Sequence, residues 1–179
     1  MTRSLAETAR AALHRQPAEG VADVWTDGDL GFVLLLHRRK DGVMAEELYY
    51  ALRTEDGTWD RPEHLSGGPL GLDPHDPTTV TRALADEPIR VLGASETLLY
   101  TGRGQGDGYE TAHIRYLLIT DEADSLRTDA THRTDSTHRE ATSPLKLLIL
   151  FPGQSAHVTA IRDARPLGAP PDPQRPRTA

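Results

Sequence analysis

The feature that most constrains this chain is a succession of short apolar runs separated by Asp-Gly turns. Phe32-Val33-Leu34-Leu35-Leu36 is continuous and too short for an ordinary helix, so it reads as a strand buried on both faces. Turns are expected at Thr26-Asp27-Gly28-Asp29, Asp41-Gly42 and Glu55-Asp56-Gly57. In each, glycine tolerates a positive φ and Asp caps the turn amides. Val21–Trp25 precedes these as a first strand. Glu47–Arg53 is a third, with Leu48, Tyr50 and Leu52 alternating onto one face. A fourth begins near Trp59, and Pro62, which has no N–H to donate, marks it as an edge.

The remainder reads in the same way. Ser4 and Glu7 have capping-box spacing, and Leu5, Ala9, Ala12 and Leu13 form the stripe of an N-terminal helix ended by Pro17 and Gly20. That stripe is mostly alanine and predicts weak packing. A polar connection, Ser66–Pro77, leads to a second short helix with Asp76 as N-cap, Pro77 at its first position, Val80 and Leu84 on its apolar side and Pro88 as its stop. Further strands are expected at Ile89–Leu92, Thr97–Thr101, Ala112–Ile119, Leu145–Phe151 and His157–Ile161. Apolar density makes Phe32–Leu36, Ala112–Ile119 and Leu147–Leu150 the central strands.

The expected fold is therefore mainly β: about nine antiparallel strands in meanders, with an N-terminal helix and one short central helix. A gap-free repeat at an offset of 66 residues suggests two similar four-stranded units, 21–65 and 89–151, in a sandwich or propeller-like arrangement. It aligns Phe32-Val33 with Leu98-Leu99, and Leu48, Tyr50 and Leu52 with Ile114, Tyr116 and Leu118. Any two β-hairpins share such a pattern, so ordinary resemblance and duplication both remain open. Residues 1–163 read as one domain, and 164–179 as a Pro/Arg-rich disordered tail. A tandem hexamer, Thr128–Arg133 and Thr134–Arg139, lacks large aliphatic side chains. Ser125–Thr142 and Pro166–Ala179 are accordingly expected to be mobile.

Composition removes several function classes. The chain has no cysteine, hence no disulfide, thiolate metal site or cysteine nucleophile. Its formal charge is -7, and residues 1–161 carry 16 basic against 25 acidic side chains, which argues against a nucleic-acid partner. No apolar run approaches the length of a membrane span, and the N-terminus lacks the apolar core of a secretory signal, so no membrane partner and a cytoplasmic address are expected. Arginine supplies 18 of the 20 basic residues, as in proteins from high-GC bacteria.

Chemical motifs are weak. His132 and His138, with Asp129 and Asp135, lie in the polar repeat, which offers no rigid frame for a metal. Asp73, His75 and Asp76 are too close in sequence to converge readily on one ion, and no metal or cofactor is expected. Gly102–Gly108 is Gly-rich but leads into a strand rather than a helix, unlike a dinucleotide fingerprint. Ser155, near His157, lacks the second glycine of a nucleophile elbow. Glu46 and Glu47 point to opposite faces of their strand and cannot share a substrate. The aromatic residues Trp25, Tyr49 and Trp59 are the candidate ligand contacts, with core packing as their ordinary alternative. Trp59 in particular is expected to be at least half buried beside the Glu55–Thr58 turn.

Leu48–Trp59, followed by Arg61-Pro62-Glu63-His64-Leu65, resembles a repeat of bacterial β-propellers of the sialidase and lectin type. Such repeats carry a strand, an Asp-Gly-Thr-Trp-like turn and a second strand often holding a proline. The likeness covers about 18 of 179 residues and departs from the Asp-box because Asp56 and Gly57 are adjacent. It implies a four-stranded antiparallel meander and carries no sugar site with it. Two such units do not close a propeller, which invites a homo-oligomer.

These features point to a non-catalytic module for a protein partner or a small carbohydrate or peptide ligand. The alternatives are a hydrolase-type enzyme, with His37, His64, His113 or His157 as base beside a carboxylate in a deep pocket, and a self-assembling structural subunit.

Overall fold

A computed structural model of the chain describes residues 3–12, 20–103, 106–130, 137–140 and 143–168. It is mainly β, with two helices: α1 (Leu5–Ala12) and α2 (Pro77–Leu84). The strands are β1 (Gly20–Asp27), β2 (Leu30–Arg38), β3 (Met44–Leu52), β4 (Glu63–Pro69), β5 (Ile89–Tyr100), β6 (Tyr109–Ile119), β7 (Ser125–Ala130), β8 (Thr137–Glu140), β9 (Leu145–Leu150), β10 (Ala156–Arg162) and β11 (Arg165–Pro166). Ten of these exceed two residues, against about nine expected. Every pairing is antiparallel.

The first sheet is the expected meander, β1-β2-β3-β4, with the Pro62-flanked strand at its edge. Its fourth strand starts at Glu63, later than expected, and Trp59 makes an isolated bridge to Arg53 instead. The strand also runs to Pro69, so Ser66–Pro69 belongs to the sheet rather than to the following connection. Both helix starts are as expected. Ser4 N donates to Glu7 Oε2 at 2.8 Å while Glu7 N donates to Ser4 Oγ at 3.2 Å. Asp76 caps α2 by accepting from Thr78 N. α1 packs better than its alanine content suggested: Leu5 and Ala9 are buried against Val33, Leu35, Tyr49 and Ala51 on the outer face of the first sheet.

The second half departs from the expected unit. Ile89–Leu92 and Thr97–Thr101 are parts of one long strand, β5, kept continuous by a register shift between Val91 and Gly93. Only β5, β6 and β9 share the second sheet, while β7 and β8 leave it for a third, ordered β11-β10-β7-β8. Ser125–Ala130 and Thr137–Glu140 are therefore strands, not a mobile loop; residues 131–136 and 141–142 of that stretch lie outside the described residues. The cause is a backbone ladder to β10, running from Ala156 opposite Ala130 to Ile161 opposite Ser125, plus one anchor, Leu126, fully buried with Ile119, Ala123 and Ala160. The tail's first residues are also ordered. Arg165–Pro166 pairs with β10, and Leu167 N donates to Ala160 O at 2.8 Å. Residues 169–179 lie outside the described residues.

The repeated hairpins do not share a register. An offset of 66 would set Leu98 opposite Tyr116 as Phe32 is opposite Tyr50, yet Leu98 faces Thr111 and Tyr116 faces Gly93.

The main core lies between the first two sheets. Leu30, Phe32, Leu34 and Leu36 of β2 and Leu48 and Tyr50 of β3 meet Ile114 of β6 and Leu145, Leu147 and Ile149 of β9. β2 and β6 are central in their ladders, as expected. β9 is not: it ends its ladder, although all six of its residues are buried. Its outer edge abuts β1, where Leu147 N donates to Asp23 Oδ2 at 2.8 Å and Lys146 Nζ lies 3.3 Å from Asp23 Oδ1. Asp23 follows a bulge in β1, whose register shifts between Val21 and Asp23.

Candidate binding site

The three candidate aromatics do not converge. Trp25 lies opposite Phe32 on the inner side of the first sheet, its ring 5.6 Å from that of Phe32 and 6.5 Å from that of Phe151. Tyr49 and Trp59 occupy the outer side, with α1. Trp59 is partly buried beside the turn, as expected. The Arg53 guanidinium sits 4.6 Å from its ring centroid, and the ring rests over Gly31. The turn beneath is tied by Thr58 N donating to Asp56 Oδ1, and bonds from Thr54 and Thr58 hold the Asp56 carboxyl down at about 2.

Two of the four candidate histidines meet carboxylates. His64 pairs with Glu47 on the outer side of the first sheet, beside the Tyr49 ring, and His113 Nδ1 lies 2.9 Å from Glu96 Oε1. Both histidines are more than two-fifths exposed, and neither lines the two clefts of about 240 and 310 Å³ beside α2. Those clefts share Thr120 and Asp121. His37 is partly buried and His157 exposed. Of the Asp73–Asp76 cluster, Asp73 accepts from Arg38 Nη2 at 2.8 Å and Asp76 is the helix cap.

The most unusual group is Glu46. Strand alternation carries Met44, Glu46, Leu48 and Tyr50 to one face, which is the buried one. Glu46 Oε2 is buried and has no hydrogen-bond partner. Burial, and secondarily the Glu47 charge, push this carboxyl up to about 7. Nearby, Ser66 Oγ of β4 and Tyr116 OH of β6 are 3.1 Å apart and join the two sheets. Burial raises the Tyr116 phenol to about 12, with the Glu46 charge adding to it and the Ser66 bond opposing it.

Two glycines border this seam. Gly68 is the cross-strand partner of Glu46 and Gly93 that of Tyr116, so a side chain at either would point into the seam. A Cβ built at either glycine meets nothing within 4 Å. The sequence did contain the signal: extending the Leu48, Tyr50, Leu52 alternation backwards by one step puts an acid on the inner face.

A second distinctive surface is the outer side of β5 and β6. Four of the five large apolar side chains that are exposed among the described residues lie here: Val91, Leu98, Tyr100 and Tyr109. Leu98 is the most open, at 67 %. The Tyr100 and Tyr109 rings pack edge to face, 5.4 Å apart. β5 pairs with β6 alone among the described strands and so forms an edge of its sheet.

No protein family, no curated protein and no solved structure matches the chain. No helix among the described residues is long and apolar enough to cross a membrane.

Proposed function

We propose that this chain is a non-catalytic interaction module that takes an extended segment of a protein partner along β5. The observation that carries the reading is the coincidence of a twelve-residue strand, β5, terminal in its sheet among the described strands, with exposed Leu98, Tyr100 and Tyr109 on that strand and its neighbour. Strand addition draws affinity from main-chain hydrogen bonds and selectivity from alternate side chains, and this edge supplies both. An edge of this length with uncovered apolar side chains is otherwise an aggregation hazard that soluble proteins avoid. The two histidine–carboxylate pairs sit on open surface, which gives a hydrolase reading little support.

The test compares partners retained by the tagged chain in its native host with those retained by a Leu98→Asp/Tyr109→Asp variant of unchanged melting temperature. A partner lost by the variant, together with slowed hydrogen exchange along β5 in the complex, supports the reading. Equal retention by both proteins, or no added protection on β5, overturns it.

A further inference from the structure

Glu46 is a carboxylate carried into the gap between two sheets with one oxygen lacking any donor. A buried acceptor left without a partner costs free energy, and native proteins seldom keep one without a use. The surroundings specify what would satisfy it. Two neutral hydroxyls, Ser66 Oγ and Tyr116 OH, bonded to each other at 3.1 Å, stand on the strands flanking the seam, and no atom stands within 4 Å of where a Cβ of Gly68 or Gly93 would lie. Among the described residues no group of three or more metal-ligating side chains surrounds Glu46, so nothing in its surroundings points to a metal ion. A cation that brings its own N–H donors fits the set, since it offers charge to Glu46 and hydrogen bonds to the hydroxyls. The acidic body, 25 acidic against 16 basic side chains over residues 1–161, draws cations toward any such opening.

We propose that the seam between β4 and β6 binds the alkylammonium or guanidinium group of a ligand, with Glu46 as its counter-ion and Ser66 and Tyr116 as its hydrogen-bonding neighbours. This site faces the interior of the sheet pair and is distinct from the outer face of β5.

The test follows the Glu46 carboxyl carbon by NMR in protein labelled at the glutamate side chains, with the resonance assigned through its own backbone. Agmatine is the probe, urea the uncharged control and tetramethylammonium the cation without N–H donors. Agmatine should move the Glu46 titration midpoint, near 7 in the free protein, to lower pH by about one unit at saturation, a tenfold preference for the ionised form. Urea should not move it, and tetramethylammonium should move it less. Gly93→Val fills the open space while keeping Glu46, and should abolish the agmatine effect. An unmoved midpoint, an equal shift of every carboxylate in the protein, or full agmatine response in Gly93→Val overturns the proposal. If Gly93→Val fails to fold, Ser66→Ala replaces it, with at least a threefold weaker agmatine response expected and an unchanged one counting against the site.

Discussion

Asp23 and Glu46 are both acids on the first sheet, and both side chains face the joint with the second sheet. They sit at opposite borders of that joint and have opposite surroundings. Asp23, at the β1–β9 border, has Lys146 Nζ and the Leu147 amide as donors. Glu46, at the β4–β6 border, has a buried oxygen with none. Burying a charge is tolerable when donors replace the lost water and costly when they do not. One border of the sandwich is therefore locked by a paired charge, while the other is joined by the Ser66–Tyr116 bond beside a carboxyl oxygen with no donor. The locked border presents the fully buried β9, whereas the other presents two glycines over empty space.

The largest effect is expected at Lys146. Lys146→Ala removes the counter-charge of Asp23, both side chains being at least 95 % buried, and should cost about 4 kcal/mol in chemical denaturation. A loss below about 1 kcal/mol would show that the border is not locked by this pair.

Glu46→Gln should act in the opposite direction. The folded carboxyl stands near 7, above its ordinary 4.5, so the native state holds its proton more tightly than the unfolded chain. Its stability contribution is complete below pH 4.5 and is lost as pH rises through 7. Glutamine does not titrate, so the variant should be more stable than the parent by on the order of 2 kcal/mol at pH 8, with the gap closing toward pH 4. Paired melts at the two pH values check this, and a pH-independent difference would assign the effect to packing.

Ser66→Ala sharpens the same border. Loss of the 3.1 Å bond to Tyr116 should cost about 1 kcal/mol and make the Tyr116 phenol slightly harder to ionise, because that bond opposes the larger effect of burial. Ultraviolet titration of the tyrosines reads the second effect. The smallest change belongs to Glu47→Gln, one residue along the strand but on the open side with His64; melting should shift by less than about 0.5 kcal/mol.

The legible part of this architecture was the part governed by local rules. Both helix starts follow from Ser4, Glu7, Asp76 and Pro77, and the first meander follows from Asp-Gly turns and two-residue alternation. The third sheet was illegible because its hold on the chain is non-local. Ser125–Ala130 carries one large aliphatic residue, and its ladder partners lie about thirty residues downstream in β10. Composition sees a polar repeat there, while the sheet needs little more than Leu126 and paired backbone. β9 misled differently: its apolar density reads as a central strand, but here the burial comes from sheet stacking and the abutting β1 rather than from two ladder neighbours. Glu46 does not stand out in the sequence, because two adjacent glutamates on a strand read as a failed catalytic pair. Their opposite orientations, which ruled that pair out, are what send one of them inside.

Gly31 has a consequence of another kind. A Cβ there would run into Leu5 Cδ2 and come within 2.9 Å of Trp59 Cη2. Two side chains more than fifty positions apart in sequence thus share one vacancy in the middle of a strand. Neither fills it alone, so docking of the first helix and closure of the tryptophan-bearing turn reinforce each other, and release of either loosens both. The indole of Trp59 is in effect a built-in optical gauge of whether the N-terminal helix is seated.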